Sequence, residues 1–297
     1  MQAGPGSTLH PCRLGTALLL ASLAASPAFA KSELRQQRTI YGQDSRREAF
    51  SLSGPRARSA DATLALISTS RLRDQGNGTT RLSAPTLAEA VGLCPGERFA
   101  TQPTVAFCSG ALVAPQTVLT AGHCFTDADL PTTRFVFGYR MLSATRAALT
   151  IDNGEIYKAK RILARSANVG GADYALIQLD RAVKGHTPLP VAPGGPPPVR
   201  SDLYVLGHPD GLPEKLATGE VYARTGTIFR SNLDVFNGNS GSPVFDAKTH
   251  RIVGVTSFGN PDYVLRKDCT VPLRLPDGFA PEGATSSKVF APFVPQH

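Results

Sequence analysis

Residues 106–124 read AFCSGALVAPQTVLTAGHC and hold two short apolar runs, 106–113 and 117–120, with a turn between them. Each run is too short for an ordinary helix and is filled by small and β-branched residues, so both predict strands. The second run ends in a small-residue turn at His123, and Cys108 and Cys124 bracket that histidine. Further runs of the same kind recur at 134–139, 156–163 and 174–179 between turn signals, which predicts an antiparallel barrel or sandwich. A second set follows at 203–206, 221–229, 243–245 and 252–258.

Between the two sets lies GHTPLPVAPGGPPPVR, residues 185–200. Proline lacks the donor that a regular helix or a central strand requires, so this stretch predicts an extended interdomain connector. The expected organisation is an N-terminal β-barrel over 39–184 and a C-terminal β-barrel with a tail over 201–297. Within the first, residues 51–104 are rich in Ser, Arg, Gly and Pro and predict an irregular early segment, with one strand candidate at 62–67. The composition agrees: 24 prolines and 28 glycines against 2 methionines and no tryptophan favour short elements joined by turns over a helical bundle. At 41% hydrophobic and 18% charged residues, the 297-residue chain is neither disordered nor collagenous as a whole.

Arg13, the apolar run 14–25 and the small-x-small triplet Ala28-Phe29-Ala30 before Lys31 predict a signal peptide over 1–30, with a buried N-terminal helix as the alternative. A bilayer span needs roughly 20 apolar residues, and nothing after the signal supplies them, so no membrane partner is expected. Cys12 leaves with the signal. The remaining Cys94, Cys108, Cys124 and Cys269 are even in number in a chain sent to an oxidising compartment, which predicts two disulfides and leaves three pairings open. A zinc site built from Cys94, Cys108, His123 and Cys124 lacks the C-x-x-C pairs of structural zinc sites, so no metal is expected. The net charge of +8 divides into +3 within 1–38, from Arg13, Lys31, Arg35 and Arg38 against Glu33, and +5 over the rest. The arginines between 46 and 81 are scattered instead of gathered with aromatics, so no nucleic-acid partner is expected.

Three signals carry chemistry. They are His123 in its bracketed turn, Asp173 directly before the apolar run 174–179, and Ser240 within Asn237-Gly238-Asn239-Ser240-Gly241-Ser242-Pro243. Singly they read as a surface histidine, a cap and a turn. Together they are specific, because a serine hydroxyl is a poor nucleophile at neutral pH and needs a base in hydrogen-bond reach and a third group to orient that base. Glycines around Ser240 let backbone donors approach the carbonyl oxygen as it gains negative charge, and the expected donors are the N–H groups of Gly238 and Ser240.

The motifs Leu119-Thr120-Ala121-Gly122-His123-Cys124 and Gly238-Asn239-Ser240-Gly241-Ser242-Pro243 resemble those of chymotrypsin-like serine endopeptidases, in the chain order His, Asp, Ser. The second motif and the segment Ile40-Tyr41-Gly42-Gln43-Asp44-Ser45-Arg46 resemble the bacterial glutamyl-endopeptidase branch, whose mature chain begins near such a segment. The resemblance covers 105–260 best. It implies an all-β fold of two antiparallel six-stranded β-barrels with the active site in the cleft between them. It also implies a secreted or periplasmic, monomeric serine endopeptidase, cofactor-free, with protein or peptide substrates and a short pro-segment over 31–38. Ser257-Phe258-Gly259 resembles the strand on which substrate backbone pairs. Asp234, six residues before Ser240, stands where trypsin-like relatives hold the acid that reads a basic side chain, which implies cleavage after Arg or Lys, with a glutamyl or small-residue preference as the rival. Two features depart from the family. Asn239 replaces the aspartate that pairs with a new N-terminal ammonium, and Val255-Thr256-Ser257 lacks the histidine expected of the glutamyl branch. The predicted bridges are Cys108 to Cys124, around the histidine loop, and then Cys94 to Cys269. Two other functional classes compete with this one. A catalytically silent binding protein of this fold would have lost one of the three residues, and an α/β-hydrolase esterase would need Gly-x-Ser-x-Gly at a strand-helix turn.

Overall fold

Short apolar runs bounded by turn residues build the molecule. The computed structural model describes residues 40–168, 170–259, 261–276 and 282–295, so the expected signal peptide, 1–30, and pro-segment, 31–38, lie outside the described residues. Its early strands are β1 (Ile40–Tyr41), β2 (Arg47–Glu48), β3 (Thr63–Ser68), β4 (Leu72–Asp74), β5 (Thr79–Leu82), β6 (Cys108–Ala114) and β7 (Thr117–Thr120). Next come β8 (Thr133–Phe137), β9 (Thr150–Asp152), β10 (Ile156–Tyr157), β11 (Ala159–Ala167), β12 (Asp173–Leu179), β13 (Asp202–Gly207) and β14 (Lys215–Thr225). The last are β15 (Ile228–Ser231), β16 (Pro243–Asp246), β17 (Ile252–Phe258), β18 (Tyr263–Arg266), β19 (Cys269–Pro272), β20 (Arg274–Leu275) and β21 (Glu282–Ser286).

In the first sheet the order is β10-β8-β3-β6-β7-β12-β11. The run 156–167 is interrupted at Lys158. Its start, β10, pairs with β8 and its remainder, β11, pairs with β12, so the two edges of the sheet curl towards each other. Both β6 and β7 are buried along their whole length, and Leu64 and Leu66 of β3 lie in register with Phe137 and Phe135 of β8. In the second sheet the order is β13-β16-β17-β21-β15-β14, and β14 pairs back onto β13 to close a six-stranded barrel. Leu203, Val205, Val221, Phe229 and Val244 fill it. Tyr204, Leu206, Phe245 and Ile252, on the opposite faces of those strands, belong to the apolar cluster of the first sheet, so one core runs across the junction. The architecture is the expected all-β double barrel.

Residues 40–48 depart from the expected organisation. The expectation places them in the first barrel, yet β1 pairs in parallel with β20 in a separate two-stranded sheet, and β2 pairs antiparallel with β14 of the second barrel. The reason is polar. Glu48, in register with Lys215, receives the buried Lys215 ammonium at 2.9 Å, and the same ammonium donates to Gln102 and to the Pro213 carbonyl. The early segment is also more regular than expected. The candidate at 62–67 is β3, and β4 and β5 join β9 in a small sheet. Two short helices, α1 (Gly54–Asp61) and α2 (Leu87–Val91), flank it, α2 with a reciprocal cap between Thr86 and Glu89. Residues 185–200 form neither helix nor strand, and their backbone bonds to both sheets, from Leu189 to Leu112 and between Pro190 and Ile252.

Two disulfides staple the barrels, Cys108 to Cys124 and Cys94 to Cys269, with sequence separations of 16 and 175. In the chain-entropy picture a loop of the first size contributes about 3 kcal/mol and one of the second about 5 kcal/mol.

Candidate active site

His123 follows β7 in the one-turn 3-10 helix Gly122–Cys124. That turn is pressed against β11: a methyl group on Gly122 would stand 1.8 Å from the Ser166 carbonyl oxygen, so only glycine fits. Arg165 donates to the carbonyls of Gly122 and Phe125, and the Cys108–Cys124 bridge ties the turn to β6. Asp173 opens β12 and is 7% exposed. Its Oδ2 lies 2.6 Å from His123 Nδ1, and its Oδ1 accepts from the His123 backbone N–H at 2.9 Å. A carboxylate only accepts, so Nδ1 carries the proton and Nε2 is left as the basic nitrogen. Two hydroxyls of the second barrel hold this aspartate: its N–H donates to Thr285 Oγ1, and Ser257 Oγ donates to its carbonyl.

Ser240 lies in a loop shaped by two left-handed glycines, Gly238 and Gly241, both at φ +85°. A methyl on Gly241 would lie 2.2 Å from Ser109 O and from Thr120 Oγ1, both on the strands that lead to His123. The Ser240 carbonyl accepts from Ser109 N–H, the Gly238 carbonyl accepts from Ser109 Oγ, and Gly241 N–H donates to Thr256. The loop is thus docked on the first barrel, with Cys124 Sγ 3.6 Å from the Ser240 carbonyl. Of the expected oxyanion donors, the Gly238 N–H donates to Asn237 Oδ1 at 3.0 Å. Asn239 is buried, and its amide oxygen accepts from Ser242 Oγ.

Beside Ser240 opens a cleft of 380 Å³ whose walls include Phe236, Thr256, Phe258, Gly259, Asp262 and Glu282. The strand residues singled out in the sequence divide: Phe258 and Gly259 line the cleft, while the Ser257 hydroxyl turns to Asp173 and Thr285. Asp234 requires correction. Instead of lying at the floor of the cleft, it is 2% exposed and faces the N-terminal segment, its carboxylate accepting from Tyr41 N–H, Ser45 N–H and Ser45 Oγ. Those donors converge because β1 and β2 run beside the strand ends of the second barrel, which the sequence assignment of residues 40–48 did not provide for. The acids that line the cleft are Asp262 and Glu282, the latter at the head of β21 and accepting from Tyr41 Oη at 2.6 Å.

Asp262 on the cleft wall forms an interacting carboxylate pair with Asp210. Asp262 Oδ2 accepts from Asn237 N–H, and Asp210 Oδ2 accepts from Tyr263 Oη. Burial, reinforced by the neighbouring Asp262, pushes Asp210 up to about 8, and burial raises Asp262 to about 6. Neighbouring His208 is pushed down to about 4, chiefly by burial, while its Nδ1 stands 2.9 Å from the Leu212 carbonyl. These groups escaped sequence reading because each lies outside any motif; the one available signal was the acid Glu282 heading a run of small residues. The atoms of Cys108, His123 and Cys124 lie within 4.8 Å of one another, but the two sulfurs are joined in a disulfide and offer no thiolate to a metal.

A family model for the trypsin-like peptidase domain matches residues 108–255. Among solved structures, neuropsin, a serine protease expressed in the limbic system of mouse brain, is similar with a TM-score of 0.50 and 16% identity, over 80% of this chain and 94% of its own. A Glu endopeptidase in complex with MPD is similar with a TM-score of 0.49 and 17% identity, over 86% of this chain and 97% of its own.

Proposed function

Because this chain is a serine endopeptidase of the trypsin-like family, acting on protein or peptide substrates, we propose that Ser240 is its nucleophile, His123 its general base and Asp173 the acid that orients the base. The observation that carries this reading is the 2.6 Å contact between His123 Nδ1 and Asp173 Oδ2. With Nδ1–H held there, Nε2 takes the Ser240 hydroxyl proton as Oγ attacks the substrate carbonyl. The same proton then passes to the leaving amine as the peptide C–N bond breaks, and water resolves the Ser240 ester by the reverse proton path. The developing oxyanion takes over the Gly238 N–H from Asn237 Oδ1 and adds the Ser240 N–H. Substrate backbone pairs along residues 257–259 as an added strand. No cofactor enters these steps.

In this reading residues 1–30 are a signal peptide, 31–38 a short pro-segment, and 185–200 the connector between barrels over 39–184 and 201–297. The protein acts outside the cytoplasm or in the periplasm as a monomer, without nucleic-acid or membrane partners. Among the described residues no helix is long and apolar enough to cross a membrane. Asn239 is neutral and bonded to Ser242, so maturation does not switch the enzyme on through an ion pair at that residue.

The test is labelling of purified protein with a fluorophosphonate, followed by peptide mapping. The adduct is expected on Ser240 and absent from His123→Ala. Asp173→Asn is expected to lower kcat about 10⁴-fold by favouring the wrong tautomer. An adduct elsewhere, or near-normal turnover in Asp173→Asn, overturns the assignment.

A further inference from the structure

The Gly238 N–H, one of the two donors proposed for the oxyanion, belongs to the peptide group that joins Asn237 to Gly238. A trans peptide holds its C=O and N–H on opposite sides of one rigid plane, so whatever fixes the Asn237 carbonyl also fixes the direction of that N–H. The carbonyl accepts from the backbone N–H of Asp210, in the turn Pro209–Gly211 that follows β13.

The turn is shaped around that contact. Asp210 has φ +54° and ψ +23°, a left-handed conformation that few residues besides glycine adopt and that aspartate and asparagine tolerate best. Strain of this kind persists only where the surroundings over-determine it. Here they do. Asp210 Oδ2 accepts from Tyr263 Oη at 2.6 Å, and the Tyr263 ring lies 5.9 Å from that of Phe236, the residue before Asn237. Asp262 Oδ2 accepts from the Asn237 N–H at 2.8 Å, so the adjacent Asp262 and Tyr263 grip the start of the Ser240 loop, one directly and one through Asp210. Gly238 packs straight onto the turn: a methyl there would stand 2.5 Å from the His208 carbonyl oxygen and 2.9 Å from the Gly211 nitrogen.

We propose that Asp210 is a positioning residue for the hydrolysis: held in its left-handed conformation by Tyr263, it anchors the Asn237 carbonyl and so aims the Gly238 N–H at the oxyanion. This role rests on Ser240 being the nucleophile. Asp210 is not part of the cleft wall and acts on the substrate only through residue 237. Because the peptide plane is fixed, only the Asn237 side chain has to turn aside when the oxyanion replaces its Oδ1 as the acceptor of the Gly238 N–H.

The first test leaves the chain unaltered. The scalar coupling across the hydrogen bond from Asp210 N to the Asn237 carbonyl carbon, read by NMR on deuterated, isotope-labelled protein, is expected in the free enzyme. It is expected again after addition of phenylboronic acid, whose boron takes a lone pair from Ser240 Oγ and places a negatively charged tetrahedral centre at the site of reaction. The Gly238 N–H signal is expected to shift on that addition while the Asp210 N–H signal stays. Absence of the coupling in the free enzyme, or its loss in the adduct, overturns the proposal whether or not any variant folds. The second test is kinetic, on a peptide that the wild type cleaves. Asp210→Ala, which gives Tyr263 no acceptor and suits the left-handed turn poorly, is expected to lower kcat about 10²-fold, as loss of one oxyanion donor does, with KM changed less than roughly threefold. Asp210→Asn keeps an acceptor for Tyr263 and tolerates the turn. Burial and the neighbouring Asp262 push the acid up to about 8, so the neutral amide resembles the side chain as it stands at neutral pH. That variant is expected to recover at least roughly tenfold of the lost kcat. A purely structural residue would change the melting temperature without splitting kcat from KM. Folded Asp210→Ala with wild-type kcat, a loss that falls on KM, or no recovery in Asp210→Asn overturns the proposal. Fluorophosphonate labelling separates the two levels: an adduct elsewhere than Ser240 refutes the nucleophile and this role with it, whereas a labelled Ser240 beside an absent coupling refutes Asp210 alone.

Discussion

Three donors converge on the Asp234 carboxylate, two from Ser45 and one from the Tyr41 backbone, and so the acid acts as a clamp on the N-terminal segment. Replacing it by alanine leaves buried N–H groups without their acceptor, and such groups cost about 1–3 kcal/mol each when orphaned. Asp234→Ala is therefore expected to lower unfolding free energy by at least that amount in denaturant melts. It should also speed amide exchange at Tyr41 and Ser45 ahead of the barrel cores; unchanged exchange there would show that the clamp is not what holds the segment. At this scale the sequence is legible where chemistry is local. His123, Asp173 and Ser240 each sit in a short motif whose residue types follow from what the proposed reaction needs. Spacing alone misplaces Asp234, because six residues from Ser240 fix a distance along the chain and not a direction. Glu282 has no motif and enters the cleft only through the pairing of β21 with β17.

The loop that carries Ser240 is positioned by what its glycines lack. At Gly241 both the left-handed backbone and the lack of room for a Cβ against Ser109 O and Thr120 Oγ1 exclude a side chain. Gly241→Ala is expected to push the loop off β6 and β7, lowering kcat/KM toward labelled peptides by more than roughly 10²-fold, since misplacement by about 1 Å is enough for that. Because a positive φ is costly for alanine, a loss of roughly 1–3 kcal/mol in thermal or denaturant unfolding should accompany it. Retained activity would mean that the loop does not depend on this docking. Longer strands such as β6 and β17 are visible in the sequence as buried apolar runs. The two-residue β1 and β2 are not, since two residues show no alternation, and only their polar anchors, Asp234 and Lys215, assign them to the second barrel.

Across the whole molecule, buried ionisable groups couple fold to pH. Asp210 keeps its proton up to about pH 8 in the folded chain but releases it near about 3.9 when unfolded. The folded state thus holds more protons over that window, and stability falls as pH rises through it, with the loss complete above pH 8. Asp262 acts with the same sign up to about pH 6, and buried Glu214 is likewise raised. His208 acts in the opposite sense. Held down to about 4, it binds fewer protons folded than unfolded, and stability falls as pH drops from about 6.5 towards 4. Thermal melts are expected to show Tm declining between about pH 6.5 and 8, with the decline shallower in Asp210→Asn. An identical slope in that variant would remove Asp210 from the cause.

The return of residues 40–48 to the second barrel also sets an order of events during synthesis. β2 leaves the ribosome early, yet its partner β14 begins at Lys215, and the wall of the cleft that bears Glu282 arrives later still. Domains otherwise tend to fold from the N-terminus as they emerge. Here the first-made segment has nothing to pair with until the second barrel exists, and the cleft lacks part of its wall until β21 is laid down against β17. A growing chain can therefore bury the core of its first barrel before residues 40–48 meet their pairing partners and before β21 completes the wall of the cleft.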